Sequence, residues 1–166
     1  MTTGRAKMDK TSGRSEDRRD RSIFTLNIPS RRDAFEELRE KLAAVADQLR
    51  IPERETDHLL IAADEIFSNI AEYAYPDGGG TVEIRLTQNP DGTELSMSFS
   101  DRGIPFDPLQ AEVPDTSAPS AVRRVGGLGI HIVRNLMDGI VYKRTDDGRN
   151  LLTLTKRLPA SAEVQP

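Results

Sequence analysis

The stretch "TVEIRLTQNPDGTELSMSFS", Thr81 to Ser100, reads as two strands and a turn. Val82, Ile84 and Leu86 alternate with polar residues in the first half, and Leu95, Met97 and Phe99 do the same in the second. A period of two places each apolar set on one face of a sheet. "QNPDG" between them supplies turn residues, so the strands pair antiparallel as a hairpin. A sheet that is apolar on one face needs a covering layer.

The flanking segments supply that layer. "SIFTLNI" is a further strand, with Phe24, Leu26 and Ile28 on one side, and Pro29 ends it. Ser30 is the expected N-cap of a helix whose Phe35, Leu38, Leu42, Val45 and Leu49 recur at spacings of three and four. A second helix starts near Pro52 and carries Leu59, Ala62, Ile66, Ile70 and Tyr73 on one side until "PDGGG". After Asp101, "RGIPFDPLQAEVPDTSAPSAVRRV" holds four of the ten prolines and little periodicity, as a mobile lid would. A third helix follows from Gly127, with Leu128, Ile132, Val133 and Leu136 as its expected apolar stripe. "GIVYKRT", "DDG" and "NLLTLTKRL" form a second hairpin. The order implies an α+β fold, a two-layer sandwich with helices on one face of a mainly antiparallel sheet.

Composition narrows the function. At 166 residues the chain accommodates one domain, expected over 22–158, with a disordered tail at 1–21 and a short tail at 159–166. There is no cysteine and there are two histidines, His58 and His131, so thiolate and histidine-rich metal sites are not expected. The first 21 residues hold seven Lys/Arg against four Asp/Glu, which leaves −7 for the remainder of a chain whose total is −4. An acidic body argues against direct nucleic-acid binding. No apolar run approaches membrane-spanning length and no signal-peptide core is visible, so a cytoplasmic protein without a membrane partner is expected.

Three short motifs carry chemistry. In "DEIFSN", Glu65 and Asn69 lie four residues apart and share a helix face, while Asp64 points about 100° away. An asparagine carbonyl suits a Mg²⁺ that keeps waters and phosphate oxygens as its other ligands, and a nearby glutamate can deprotonate a nucleophile. A solvated helix face is the alternative. In "SFSDRGIPFD", Asp101 ends an apolar strand, where a carboxylate can accept a hydrogen bond from an exocyclic amine, and Gly103 would let a flat ring approach the backbone. The alternative is a turn aspartate. In "VRRVGGLGIHIVRNLMDG", Gly126, Gly127 and Gly129 sit at a helix start, where free N–H groups and the helix dipole suit a phosphate. A plain turn would also use them.

In order and spacing, "DEIFSNIAEYAYP", "DRGIPFDP" and "GGLGIHIVRNLMD" resemble the N, G1 and G2 boxes of the GHKL ATPase superfamily. Within it the chain is most similar to anti-sigma factor serine kinases of the RsbW type. The resemblance implies a Bergerat-type ATP-binding fold and ATP with Mg²⁺ as ligands. It implies Glu65 as catalytic base, Asn69 as Mg²⁺ ligand and Asp101 as adenine contact, with Gly103 lining the adenine pocket. Arg124, Gly126, Gly127 and Gly129 would hold the phosphates. The implied partners are a sigma factor and a STAS-domain anti-sigma-factor antagonist, and relatives of this type are commonly homodimers. Two departures stand out: Tyr73 replaces a frequent histidine, and "GRN" at 148–150 replaces the Gly-Thr that often opens the last strand. A sensor histidine kinase would need an upstream hairpin bearing a phosphoacceptor histidine, which the sequence does not show. The second function class open to this sequence is an ATP-dependent partner-binding module without kinase activity.

Overall fold

The computed structural model describes residues 20–110 and 127–159. Within them β1 (Arg21–Pro29) leads through a 3-10 turn (Arg32–Ala34) into α1 (Phe35–Gln48) and α2 (Glu53–Asn69), which continues as a π turn over Ile70–Ala74. Then come β2 (Thr81–Gln88), β3 (Glu94–Asp101), a 3-10 turn (Pro108–Gln110), α3 (Gly127–Leu136), β4 (Gly139–Arg144) and β5 (Asn150–Arg157). The five strands lie in the order β1-β2-β3-β5-β4, and every neighbouring pair is antiparallel. This is the α+β arrangement expected from the hairpins.

Alternation decides the buried face. Leu26 and Ile28 from β1, Val82, Ile84 and Leu86 from β2, and Leu95, Met97 and Phe99 from β3 join one core with the helices. Their polar alternates, such as Ser96 and Ser98, stay half-exposed on the opposite face. Leu38 and Leu42 of α1 and Leu59, Ala62, Ile66 and Phe67 of α2 cover the sheet. Phe67 and Phe99 are fully buried, so truncating either to alanine costs about 3–5 kcal/mol.

Two local expectations are corrected. Ser30 caps no helix: its N–H donates to the Gly80 carbonyl (2.9 Å), and α1 begins five residues later after a 3-10 turn, without a side-chain cap. Of the expected α3 stripe Val133 is buried, joined by Ile130 and by Met137 just past the helix end, whereas Leu128 is 52% exposed. Both sides of this short helix carry apolar residues, so periodicity alone does not choose between them; packing against α2 does. Among the described residues, no helix is long and apolar enough to cross a membrane. Both expected tails, apart from residues 20, 21 and 159, and most of the expected lid (111–125 of 102–125) lie outside the described residues.

The antiparallel pairing also fixes where chain ends meet. Asp101 at the end of β3 is opposite Asn150 at the start of β5. The end of α2 and the start of α3 come to the same edge of the sheet, as the Glu65–Gly129 approach described below shows.

Candidate functional site

At that edge a cleft opens between α2, α3 and the sheet. Its wall is largely apolar, with Ile66, Ile70, Phe99, Ile130 and Leu152 behind and the more exposed Ile104 and Phe106 in front. Into this wall are set Asn69, Asp101 and Asn150, with Tyr73 and Tyr142 beside them. An apolar cleft with few convergent polar groups is the usual form of a small-molecule site.

Asp101 is 3% exposed. Its Oδ1 accepts hydrogen bonds from the Gly103 N–H (2.8 Å) and from Asn150 Nδ2 (2.9 Å). Gly103 follows two residues later, at the start of the loop after β3. A Cβ there would lie 2.4 Å from the Ala74 carbonyl oxygen, so the glycine lets the loop after β3 close onto the end of α2. The Ile104 N–H completes that junction by donating to the same carbonyl (2.9 Å).

Asn69 lines the cavity from the last turn of α2, and its Nδ2 is buried without a hydrogen-bond partner. Leaving a buried amide unpaired costs about 1–3 kcal/mol, which suits a group whose partner is a ligand. One turn earlier stands Glu65, half-buried. Asp64, by contrast, is exposed and accepts a hydrogen bond from Ser68 Oγ (3.3 Å). A Cβ on Gly129 would lie 2.0 Å from Glu65 Oε2. The missing side chain therefore leaves room for this carboxylate at the first turn of α3, where backbone N–H groups lack intrahelical partners and the dipole is positive. Sequence reasoning tied Gly129 to phosphate alone and missed this contact. Gly127 is the first residue of α3; Arg124 and Gly126 lie outside the described residues.

A charged group flanks the cleft. Arg32 pairs with Glu72, and this hydrogen bond, helped by the Tyr73 hydroxyl, holds the Glu72 carboxyl below its ordinary value. The same Glu72 raises the Tyr73 phenol above its own.

The sequence marks Asn150 only as part of the "GRN" departure and assigns it no role. The signal was present, since the alternation of "NLLTLTKRL" puts Asn150 on the inward face with Leu152 and Leu154. A polar residue at such a position needs partners, and this one has them on both ends of its amide.

A profile described as the histidine kinase-like ATPase domain matches residues 28–156, well over half of the chain. The chain belongs to this family. Among curated relatives of this ATPase domain, the serine/threonine-protein kinase BtrW of Bordetella bronchiseptica is 35% identical over 97 residues, 58% of this chain and 67% of that protein. The serine-protein kinase RsbW of Bacillus cereus is 28% identical over 129 residues, 76% of this chain and 80% of the relative. The fold is shared with the solved RsbU and RsbW domains of Rv1364c from Mycobacterium tuberculosis (TM-score 0.57, 19% identity), matching 82% of this chain and only 34% of that one. It is shared too with the SiaB–SiaC complex from Pseudomonas aeruginosa (TM-score 0.53, 18% identity, 82% of this chain and 91% of the other).

Proposed function

We propose that this chain is an ATP-dependent protein serine kinase of the cytoplasm that acts as an anti-sigma factor, holding a sigma factor and phosphorylating a serine on a STAS-domain antagonist. The observation that supports the nucleotide part is that Asn69 and Asp101 line one cleft, while Glu65, one turn before Asn69, lies against Gly129 at the start of α3. The kinase part is supported by relatives named serine kinases, one of them matched over 80% of its length. The partners rest on the resemblance to anti-sigma factor kinases of the RsbW type.

In this reading adenine enters the apolar cavity with its amine toward Asp101. The triphosphate runs past Asn69 toward the start of α3, where Arg124, Gly126, Gly127 and Gly129 would meet it. The residues present fit a Mg²⁺ through Asn69, which lines the cavity and whose side-chain carbonyl is a hard oxygen donor. When bound, the ion neutralises charge on the phosphate oxygens. Glu65 takes the proton of the incoming serine hydroxyl as its oxygen bonds to the γ-phosphorus; the bond to the bridging oxygen breaks and ADP leaves.

The test is incubation with γ-labelled ATP and STAS-domain proteins from the same genome, using wild type and Glu65→Gln. Wild type should label a serine on one of them. The variant should bind ATP within a few-fold of wild type, yet transfer phosphate ~10²-fold more slowly or worse, the range of a lost general base. A wild type that labels none of them, but still binds partners only with ATP, would make the non-catalytic binding module the better reading.

A further inference from the structure

Asn150 uses all of its hydrogen-bonding capacity. Its Nδ2 donates to Asp101 Oδ1 (2.9 Å) and to the Ile104 carbonyl (3.0 Å). Its Oδ1 accepts from the Tyr142 hydroxyl (2.8 Å) and from Arg144 Nη1 (2.7 Å). The amide therefore has one orientation only, since a flip would set its NH₂ against a guanidinium and a hydroxyl hydrogen and leave its oxygen facing a carboxylate and a carbonyl. Arg144 Nη1 also donates to the Gly103 carbonyl (3.2 Å), tying the loop after β3 into the same lattice of bonds. Asn150 and Asp101 are both buried, at 6% and 3% exposure, and both line the cavity.

The consequence falls on Asp101. Two fixed donors, the Gly103 N–H and the Asn150 amide, converge on Oδ1 and stop the carboxylate from turning about its Cβ–Cγ bond. As a carboxylate it can only accept. We infer that Asn150 is the positioning residue that makes this cavity discriminate 6-aminopurine from 6-oxopurine nucleotides, by holding Asp101 as an immobile acceptor. The inference rests on the nucleotide reading above and adds the choice of base. A 6-aminopurine offers a donor at its exocyclic nitrogen. A 6-oxopurine offers an acceptor there and moves its donor to ring N1, where a carboxylate that cannot rotate does not follow. A site built for one donor rejects the analogue lacking it because its own buried group is left unpaired. Freed from Asn150, the carboxylate could turn to meet either base.

The experiment measures ATP and ITP affinities by calorimetry for wild type, Asn150→Ala and the isosteric Asn150→Asp, with the melting temperature of each free protein. Wild type should prefer ATP by at least ~30-fold, a modest share of what a hydrogen-bonding site can achieve. Both variants should narrow that preference by ~10-fold or more, losing ATP affinity faster than ITP affinity. Asn150→Asp keeps the shape should the alanine variant fail to fold. A merely structural asparagine would lower the melting temperature and weaken both nucleotides equally; an unchanged ATP:ITP ratio would thus overturn the inference while leaving the nucleotide site standing. A wild type that binds ATP and ITP alike would overturn it as well. Failure of wild type to bind any nucleotide would instead remove the functional reading on which it stands.

Discussion

The inward face of β5 reads Asn150, Leu152, Leu154, Lys156, and its two polar ends lie at opposite ends of α3 under opposite rules. At the far end everything is paired. Lys156, 6% exposed, donates to the Leu136 carbonyl at the C-terminus of α3 (2.8 Å) and to His58 Nδ1 (3.0 Å) at the start of α2. Asp138 lies 3.8 Å from the same ammonium and accepts from the Arg157 N–H (2.8 Å). A cation on the last carbonyls also complements the helix dipole. At the cavity end Asn69 keeps a buried N–H₂ without a partner, and Glu65 rests against a helix start that carries no side chain at Gly129. Among the described residues, one end is closed by its own groups, whereas the other keeps an unpaired amide. The contrast is of an α3 anchored at its C-terminus and, under the proposed function, open to the phosphates at its N-terminus.

The sharpest way to break this contrast is Gly129→Ala. A methyl group 2.0 Å from Glu65 Oε2 must displace the carboxylate, while the backbone N–H groups of α3 remain in place. Phosphoryl transfer should fall by about 10²-fold, the usual consequence of misplacing a reacting group by an ångström, with ATP affinity within a few-fold of wild type. If the affinity falls as far as the rate, Gly129 serves the nucleotide and not Glu65.

A smaller effect is expected at the closed end. Lys156→Met keeps length and apolar contact but leaves the Leu136 carbonyl without its donor, which should cost about 1–2 kcal/mol. For a domain of this size the melting temperature should drop by roughly 3–6 °C. Nucleotide affinity should hardly move. A variant with unchanged melting and weakened ATP binding would show that the two ends do not divide the labour.

The smallest effect concerns pH. The Arg157 N–H holds the Asp138 carboxyl below its ordinary value, aided by the charges of Lys156 and Arg157. Because the folded value is the lower one, this contribution is complete above the ordinary carboxylate range and is lost as pH falls through that range toward the depressed value. Melting curves of wild type and Asp138→Asn should therefore converge on acidification from neutral pH to about pH 3. Parallel curves would mean that the carboxylate adds nothing to the closed end.

Much of this molecule is legible in one dimension because its signals are local. The alternation of Val82, Ile84 and Leu86 against Leu95, Met97 and Phe99 depends only on strand geometry, and the antiparallel register follows from a short turn. The Glu65–Asn69 pair is readable for the same reason, since four residues are about one helical turn. The buried face of α3 is not readable this way. Val133 lies inside as expected, but Leu128, Ile132 and Leu136 compete with Ile130 and Met137 for the places beside it, and the neighbouring α2 selects the second pair. Ser30 has the chemistry of a cap, yet the Gly80 carbonyl on another segment takes its N–H and the chain enters α1 through a 3-10 turn.

The sequence by itself determined the hairpins, the helices, the α+β class and the motifs that mark the family, because periodicity and short spacings survive without tertiary context. Only the tertiary structure decided which groups meet. It set Gly129 against Glu65 across 64 residues and Gly103 against Ala74, and it brought Asn150 to Asp101 across 49. The reason is physical: a hydrogen bond or a close approach is a condition on distance in space, and strand order together with helix packing sets that distance for residues far apart along the chain.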